Sequence, residues 1–198
     1  MAGDVTNHHC RIVLTGGPGG GKTTAADLMR REVGERIVVV PEAATMLFSG
    51  GFPRHNELHA KRSAQQAIYH VQRNLEDIHT ALYPDRVLLC DRGTLDSVVY
   101  WPDQGEQDFY HVLDTTLDEE IARYDAVIFF ETAAVGNLSI EGGNPVRTES
   151  IDQAVTLDRQ LQEIWGGHPN FHFIPHEQSF FGKLQSGLSV LSDLVGQV

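Results

Sequence analysis

The chain has 198 residues, enough to bury one substantial core, and this length favours a single domain spanning 1–198. A net charge of −12 and a pI near 5.1 leave little to attract a polyanion, which argues against nucleic acid and acidic membrane surfaces as partners. No apolar run approaches the roughly 20 residues that span a bilayer, and Met1 to Cys10 contains no apolar leader core, so a cytoplasmic protein with no membrane insertion is expected.

Residues 1–9 read as a flexible polar tail. Within it His8-His9 is most simply solvated, and the ten histidines show no ligand-spaced cluster that would make a zinc site. Cys10 and Cys90 adjoin apolar runs and lack CxxC spacing, which predicts reduced, buried thiols rather than a disulfide or a metal site.

The first strand is predicted at Arg11–Thr15. It leads into Gly16-Gly17-Pro18-Gly19-Gly20-Gly21-Lys22-Thr23, which fits G-x-x-x-x-G-K-[ST], and helical character resumes from Thr24 to Met29. Strand before and helix after are the context in which this pattern forms a phosphate cradle; a glycine-rich turn that binds nothing is the competing reading. The glycines would turn N–H groups toward the β- and γ-phosphates at a positively polarised helix N-terminus. Lys22 would add a point charge, the Thr23 hydroxyl would ligate Mg²⁺, and Thr24 would help to cap the loop.

Further along, Arg36–Val40 is a short apolar run bounded by Gly34 and Pro41, as in a buried parallel strand. A helix starts near Glu42 and breaks at Ser49-Gly50-Gly51-Phe52-Pro53. Asn56–Leu82 then has no Gly or Pro and reads as one long helix. Arg86–Cys90 is the third strand, followed by Asp91-Arg92-Gly93. Helices are predicted over 94–100 and 107–123, with Asp125–Phe130 as the fourth strand. Residues 131–150, with Gly136, Gly142, Gly143 and Pro145, lack periodicity and are long for a connection, so they are a candidate lid. Helix 151–165, strand 171–174 and helix 176–195 complete the chain. This alternation predicts an α/β P-loop NTPase sandwich of three layers: a five-stranded parallel sheet with helices on both faces and a lid segment.

In such sheets ligands bind beyond the carboxyl ends of the strands. Glu42, Asp91 and Glu131 stand at three such ends, where carboxylates would repel a nucleotide unless Mg²⁺ or a substrate hydroxyl lay between. Asp91 is the candidate Mg²⁺-side carboxylate, or alternatively a helix N-cap. Glu42 would accept a proton from a substrate hydroxyl or hold that hydroxyl in place; a favourable charge in a helix first turn is the other reading. Arg92 would brace the transferring phosphoryl group or pair with Asp96 on a helix surface. Arg147 suits a lid arginine, or equally a solvated loop residue. Gln65, Gln66, Tyr69 and Gln72 could face an acceptor base, while Ala64, Ala67, Ile68, Val71 and Leu75 of the same helix serve the core.

The P-loop, Val40-Pro41-Glu42-Ala43-Ala44, Gly50-Gly51-Phe52-Pro53, Gln66-Ala67-Ile68-Tyr69, Asp91-Arg92-Gly93 with Asp96 and Tyr100, and Arg147 with Leu157-Asp158 together resemble the AAA-type P-loop family. That family includes the nicotinamide-riboside kinase domain of the bacterial NAD regulator and a eukaryotic translocation-defect protein. More distantly, Glu42 and Asp91-Arg92 are similar to the carboxylate and acidic-Arg motif of deoxynucleoside kinases. The resemblance implies five parallel strands, ATP with Mg²⁺, and a small hydroxylated acceptor near Glu42, Arg54, Gln66 and Arg92.

The chain is too short to add the helical lid domain of a ring-forming AAA motor. Its three lysines, Lys22, Lys61 and Lys183, are never followed two places later by Asp, so the guanine-reading motif of signalling GTPases is absent. The expectation is an ATP-dependent kinase acting on a small-molecule phosphoryl acceptor, nucleoside-like or another hydroxyl compound. The alternative is a nucleotide-dependent regulatory switch, using ATP or GTP, with slow hydrolysis and a protein or lipid partner.

Overall fold

The computed structural model describes residues 10–102, 105–136 and 149–197. Five apolar runs form one parallel sheet: β1 (Arg11–Thr15), β2 (Ile37–Val40), β3 (Val87–Asp91), β4 (Ala126–Phe130) and β5 (Phe171–Ile174), in the order β2-β3-β1-β4-β5. β3 and β4 are buried at every residue, as expected where helices cover both faces of a sheet. Alternation along β1 sends Ile12 and Leu14 into one core with Met29, Phe130, Leu184 and Leu191. It sends Val13 into the other, with Tyr69, Phe109, Leu161 and Trp165.

α1 (Lys22–Val33) and α8 (Phe180–Gly196) carry residues of the first core, while α3 (Leu58–Leu82), α4 (Asp96–Tyr100), α5 (Glu106–Leu113) and α7 (Ile151–Trp165) carry residues of the second. The predicted α/β/α sandwich is therefore present. α3 starts where the Glu57 carboxylate accepts from Ala60 N at 2.8 Å, and its buried positions Gln65, Ile68, Tyr69, Gln72 and Glu76 recur at spacings of three and four. α7 opens on a capping box, Ser150 with Gln153.

Several boundaries differ from the sequence reading. The helix expected over 107–123 is two: α5 stops at Asp114, which takes φ 50, and α6 (Leu117–Ile121) restarts after Thr116, whose hydroxyl accepts from Glu119 N at 3.2 Å. Short polar side chains at 114–116 offer the backbone alternatives to helical hydrogen bonds, which the apolar spacing alone does not reveal. α1 begins at Lys22, α3 at Leu58, and α8 at Phe180, where the Ser179 hydroxyl accepts from Gly182 N at 3.1 Å. α2 (Ala43–Ser49) ends at Gly50, and a 3-10 turn at Gly34–Arg36 precedes β2. In the expected lid, Ala133–Gly136 forms a 3-10 turn; residues 137–148, including Arg147, and the tail 1–9 lie outside the described residues.

Cys10 and Cys90 are free thiols, the first half-buried and the second buried. Burial, with Asp125 nearby, raises Cys10 to about 11 and burial pushes Cys90 well up, so both are unreactive as nucleophiles. No helix among the described residues is long and apolar enough to cross a membrane.

Candidate active site

The P-loop leaves the central strand β1 and lies beyond the carboxyl ends of its neighbours β3 and β4. Gly16, at φ 130, passes so close to β4 that a Cβ would fall 2.1 Å from the Phe130 carbonyl oxygen. Gly21, at φ 87, forms the N-cap of α1, and the Phe180 ring lies 2.5 Å from where its Cβ would be. No other residue type meets both demands without displacing neighbours.

The rest of the loop is braced from three elements. From α7, the buried Asp158 Oδ1 accepts from Gly17 N at 2.7 Å and from Thr132 N at 2.9 Å. The Thr132 hydroxyl donates to the Pro18 carbonyl. From α8, Lys183 Nζ donates to Gly20 O at 3.0 Å and also to Glu131 O. Within the loop, Gly20 N donates to Gly17 O at 3.2 Å. Gly17 N–H is thus committed to Asp158 and does not turn inward as the sequence reading has it. A helix N-terminus nevertheless leaves donors in its first turn and a positive partial charge, and here these belong to the start of α1.

Lys22 is 3% exposed, and its Nζ donates to Gly16 O at 2.7 Å and Gly17 O at 2.8 Å. Thr23 and Thr24 are exposed on the first turn of α1. Thr23 Oγ1 donates to Asp91 Oδ2 at 3.0 Å, which brings the two expected Mg²⁺ ligands together. Asp91 Oδ1 is buried with no hydrogen-bond partner among the described residues. Burial raises Asp91 above the usual carboxylate range, Glu42 adds to the rise, and Lys22 and Arg92 only partly oppose it. Asp91 caps no helix, so that alternative falls.

Glu42 and Arg92 form the second half of the site. Arg92 Nε donates to Glu42 Oε1 at 2.5 Å, and Nη1 donates to Asp96 Oδ2 at 2.7 Å. The Tyr100 ring lies under the guanidinium, 5.7 Å from its carbon. Arg92 adopts φ 74, a left-handed conformation unusual for a residue with a Cβ, and strain of this kind concentrates at functional sites. The pairing with Asp96 is real but buried, not on a helix surface. Thr45 Oγ1 donates to Glu42 Oε2 at 2.5 Å. Burial alone would push Glu42 up, yet Arg92, the Thr45 hydroxyl and Lys22 outweigh it and hold the carboxyl below its ordinary value. Asp96 has both oxygens engaged, since Oδ1 accepts from Thr15 Oγ1 and from Trp165 Nε1, each at 2.8 Å.

A cavity of about 660 Å³ opens against this cluster. Glu42, Arg92, Asp96 and Tyr100 line it together with Thr45, Phe48, Arg54, Gln65 and residues of α7. That volume lies in the range of small-molecule sites. The α3 residues expected to face an acceptor separate. Gln65 lines the cavity, is 8% exposed, and its side chain makes no hydrogen bond among the described residues. Gln72 also lines it, but its Oε1 accepts from Ala43 N at 3.2 Å and its Nε2 donates to Glu76 at 3.3 Å. Tyr69 is buried in the core and donates to Glu120. Gln66 is not among the lining residues, unlike Arg54.

Asp158 and Lys183 are site residues to which the sequence reading gave no role. Burial lowers Lys183 to about 8, although Asp158, Glu131 and Glu177 favour its charged form. The available signal was position: each sits on the apolar stripe of its helix, Asp158 between Ala154 and Leu161, Lys183 beside Leu184 and Gly187.

The sequence matches no curated protein. The solved structures it resembles include a deoxyadenosine kinase from M. mycoides with bound dATP, at 14% identity and TM-score 0.67, covering 92% of this chain and 99% of that one. The same kinase with the products dCMP and a flexible dCDP matches at 14% identity and TM-score 0.61, covering 95% and 100%. These likenesses establish the fold. Residues 11–179 match the family described as AAA domain, and the chain, with its P-loop at Gly16–Thr23, belongs to that family.

Proposed function

We propose that the protein is an ATP-dependent small-molecule kinase, transferring the γ-phosphoryl group of Mg-ATP to a hydroxyl of a nucleoside-like acceptor. The observation that carries this reading is the cavity of about 660 Å³ that meets the Glu42–Arg92 pair beside the P-loop. A switch needs no such chamber, whereas a kinase must hold an acceptor where the terminal phosphate ends. Gln65 supports a base-like ligand, because a carboxamide lining the cavity, with no side-chain hydrogen bond among the described residues, offers one donor edge and one acceptor to a planar ring. The M. mycoides kinase, named for deoxyadenosine and seen with dCMP and dCDP, points the same way.

The donor set suits Mg²⁺. Among the described residues no three His, Cys, Asp or Glu side chains gather into a metal site, but Mg²⁺ is usually held by one or two carboxylates plus substrate phosphates. Asp91, with a buried oxygen lacking a partner among the described residues, and the adjoining Thr23 hydroxyl would provide that kind of site. Bound there, the ion supplies neutralisation of phosphate charge.

The chain's own groups then divide the work. Lys22 turns from the Gly16 and Gly17 carbonyls to the β- and γ-phosphates. Glu42, ionised and a weak base, orients the acceptor hydroxyl rather than removing its proton early. Arg92 steadies Glu42 and adds positive charge beside the transferring group. Arg147 belongs in this reading as an arginine closing over the nucleotide. ATP is preferred to GTP, because the guanine-reading motif is missing.

Incubation with Mg-ATP and a panel of nucleosides, followed by mass spectrometry, tests the proposal. A nucleoside heavier by one phosphoryl group is expected; ATP hydrolysis with no phosphorylated product from the panel or from a pooled metabolite extract would favour the switch.

A further inference from the structure

Behind the cavity, α3 buries a carboxylate whose one hydrogen-bond partner in the lining, among the described residues, is Gln72. Glu76 is fully buried. Its Oε2 accepts from Arg123 at 2.5 Å, and Arg11 approaches to 3.6 Å. Its Oε1 accepts from Gln72 Nε2 at 3.3 Å and from Tyr124 OH at 2.8 Å. A buried carboxylate is expensive to desolvate, and an apolar side chain of like volume often serves stability as well.

The two donors to Oε1 lead directly to the site. With its amide nitrogen turned to Glu76, Gln72 presents Oε1 to Ala43 N at 3.2 Å. Tyr124 has one proton, and Glu76 at 2.8 Å takes it in preference to Thr94 Oγ1 at 3.3 Å, so the phenol oxygen accepts Thr94 N at 2.8 Å. Ala43 follows Glu42, and Thr94 stands two residues after Arg92. One oxygen therefore fixes the direction of two relays, which hold the loops after β2 and β3 that carry the Glu42–Arg92 pair. Hydrogen bonds to an ionised acceptor are the strong kind, and they polarise the next bond in the chain.

We infer that Glu76 is a positioning residue for phosphoryl transfer: it holds Ala43 and Thr94, and through them sets Glu42 and Arg92 in register with each other. The activity part of this inference rests on the kinase reading above; the structural part does not.

Glu76→Gln is the informative variant. An amide cannot accept from Tyr124 and Gln72 without aiming its own donors at Arg123, and in the reverse orientation both relays must invert. Hydrogen exchange on the ligand-free protein should show Ala43 and Thr94 exchanging about tenfold faster, the factor expected for one lost hydrogen bond, with β1 and β4 amides unchanged. Tyr124→Phe should release Thr94 and leave Ala43 protected, and it serves alone if Glu76→Gln does not fold. In turnover, Glu76→Gln should lower kcat about tenfold and leave the Kd for ATP within about twofold. In a Glu42→Gln background it should lower kcat no further, an outcome that general loosening of the fold would not give.

Unchanged exchange at Ala43 and Thr94 in Glu76→Gln, or at Thr94 in Tyr124→Phe, would overturn the inference, as would an undiminished kcat effect in the Glu42→Gln background. Should wild-type protein phosphorylate nothing, the kinase reading fails on that result, while exchange still decides the role of Glu76.

Discussion

Trp165 Nε1 donates to Asp96 Oδ1 at 2.8 Å, so an indole from α7 helps to hold the carboxylate that Arg92 leans on. Thr15, the last residue of β1, donates to the same oxygen. Asp96 is thereby fixed by two neutral donors and one cation. Asp96→Asn would present an amide donor either to Arg92 or to the Thr15 and Trp165 donors. Removing one partner of a buried pair costs about 3 kcal/mol or more, because the remaining charge stays buried. Urea unfolding should show a loss of that order; a loss below about 1 kcal/mol would mean that Glu42 alone satisfies Arg92.

Asp114 ends α5 in the left-handed region at φ 50, with an exposed side chain. A residue with a Cβ pays roughly 1 kcal/mol for that conformation, and glycine does not. Asp114→Gly should therefore stabilise the protein by about 0.5 kcal/mol or more, net of the extra freedom glycine gives the unfolded chain. A lower melting temperature in the variant would contradict this account of the break between α5 and α6.

Lys183 gives a pH signature. Its folded value of about 8 lies below the ordinary 10.5, so between those two pH values the unfolded chain binds more proton than the native one. Stability contributed at this residue therefore rises with pH across that window, and the cost of burying the ammonium is fully present below it. Comparing wild type with Lys183→Met by urea unfolding at pH 7 and pH 10 should show wild type gaining up to about 3 kcal/mol relative to the variant. A difference independent of pH would show that Lys183 titrates normally.

The sheet and the P-loop were legible because their signals are local: four or five apolar residues ending in Gly, Pro or an acid, and a fixed spacing of Gly, Lys and Thr. The Thr23–Asp91 contact follows from them, since β1 and β3 are neighbours. The role of Glu76 was not legible, nor was the brace of Asp158 and Lys183, because each depends on contacts from distant parts of the chain. Asp158 lies 141 residues from Gly17, and Lys183 lies 163 from Gly20. What the sequence does display is a charge on an apolar helical stripe, and that pattern marks all three. Gln65 and Gln66 differ by one position on α3, a rotation of about 100°, which decides which of them reaches the cavity.

Gln65→Leu tests the base-reading side. The change keeps much of the side-chain volume and removes the donor and acceptor, so an acceptor that pairs with the carboxamide should lose about 10- to 100-fold in kcat/KM, mostly through KM. ATP affinity should not move, since the residue lies on the acceptor side. Equal kcat/KM for wild type and variant across the nucleosides that wild type phosphorylates would detach Gln65 from recognition.

Glu42→Gln and Asp91→Asn should fail in different ways. Asp91 faces Thr23 at the start of α1, and its second oxygen has no partner among the described residues, so its amide should raise the Mg²⁺ concentration needed and slow both transfer and background hydrolysis. Glu42 sits on the cavity side, paired with Arg92 and Thr45. Its amide should lower kcat for transfer by about 100-fold, leaving ATP binding and background hydrolysis near wild type. The lowered pKa of Glu42 sharpens the test: the contribution of its carboxylate is complete above the ordinary 4.5 and is lost only as pH falls through the lower folded value. The Glu42→Gln defect should therefore be the same at pH 6 and pH 8. A defect that grows between those values would make Glu42 a titrating base, and a Glu42→Gln enzyme as fast as wild type would move the orientation of the acceptor hydroxyl to Arg92.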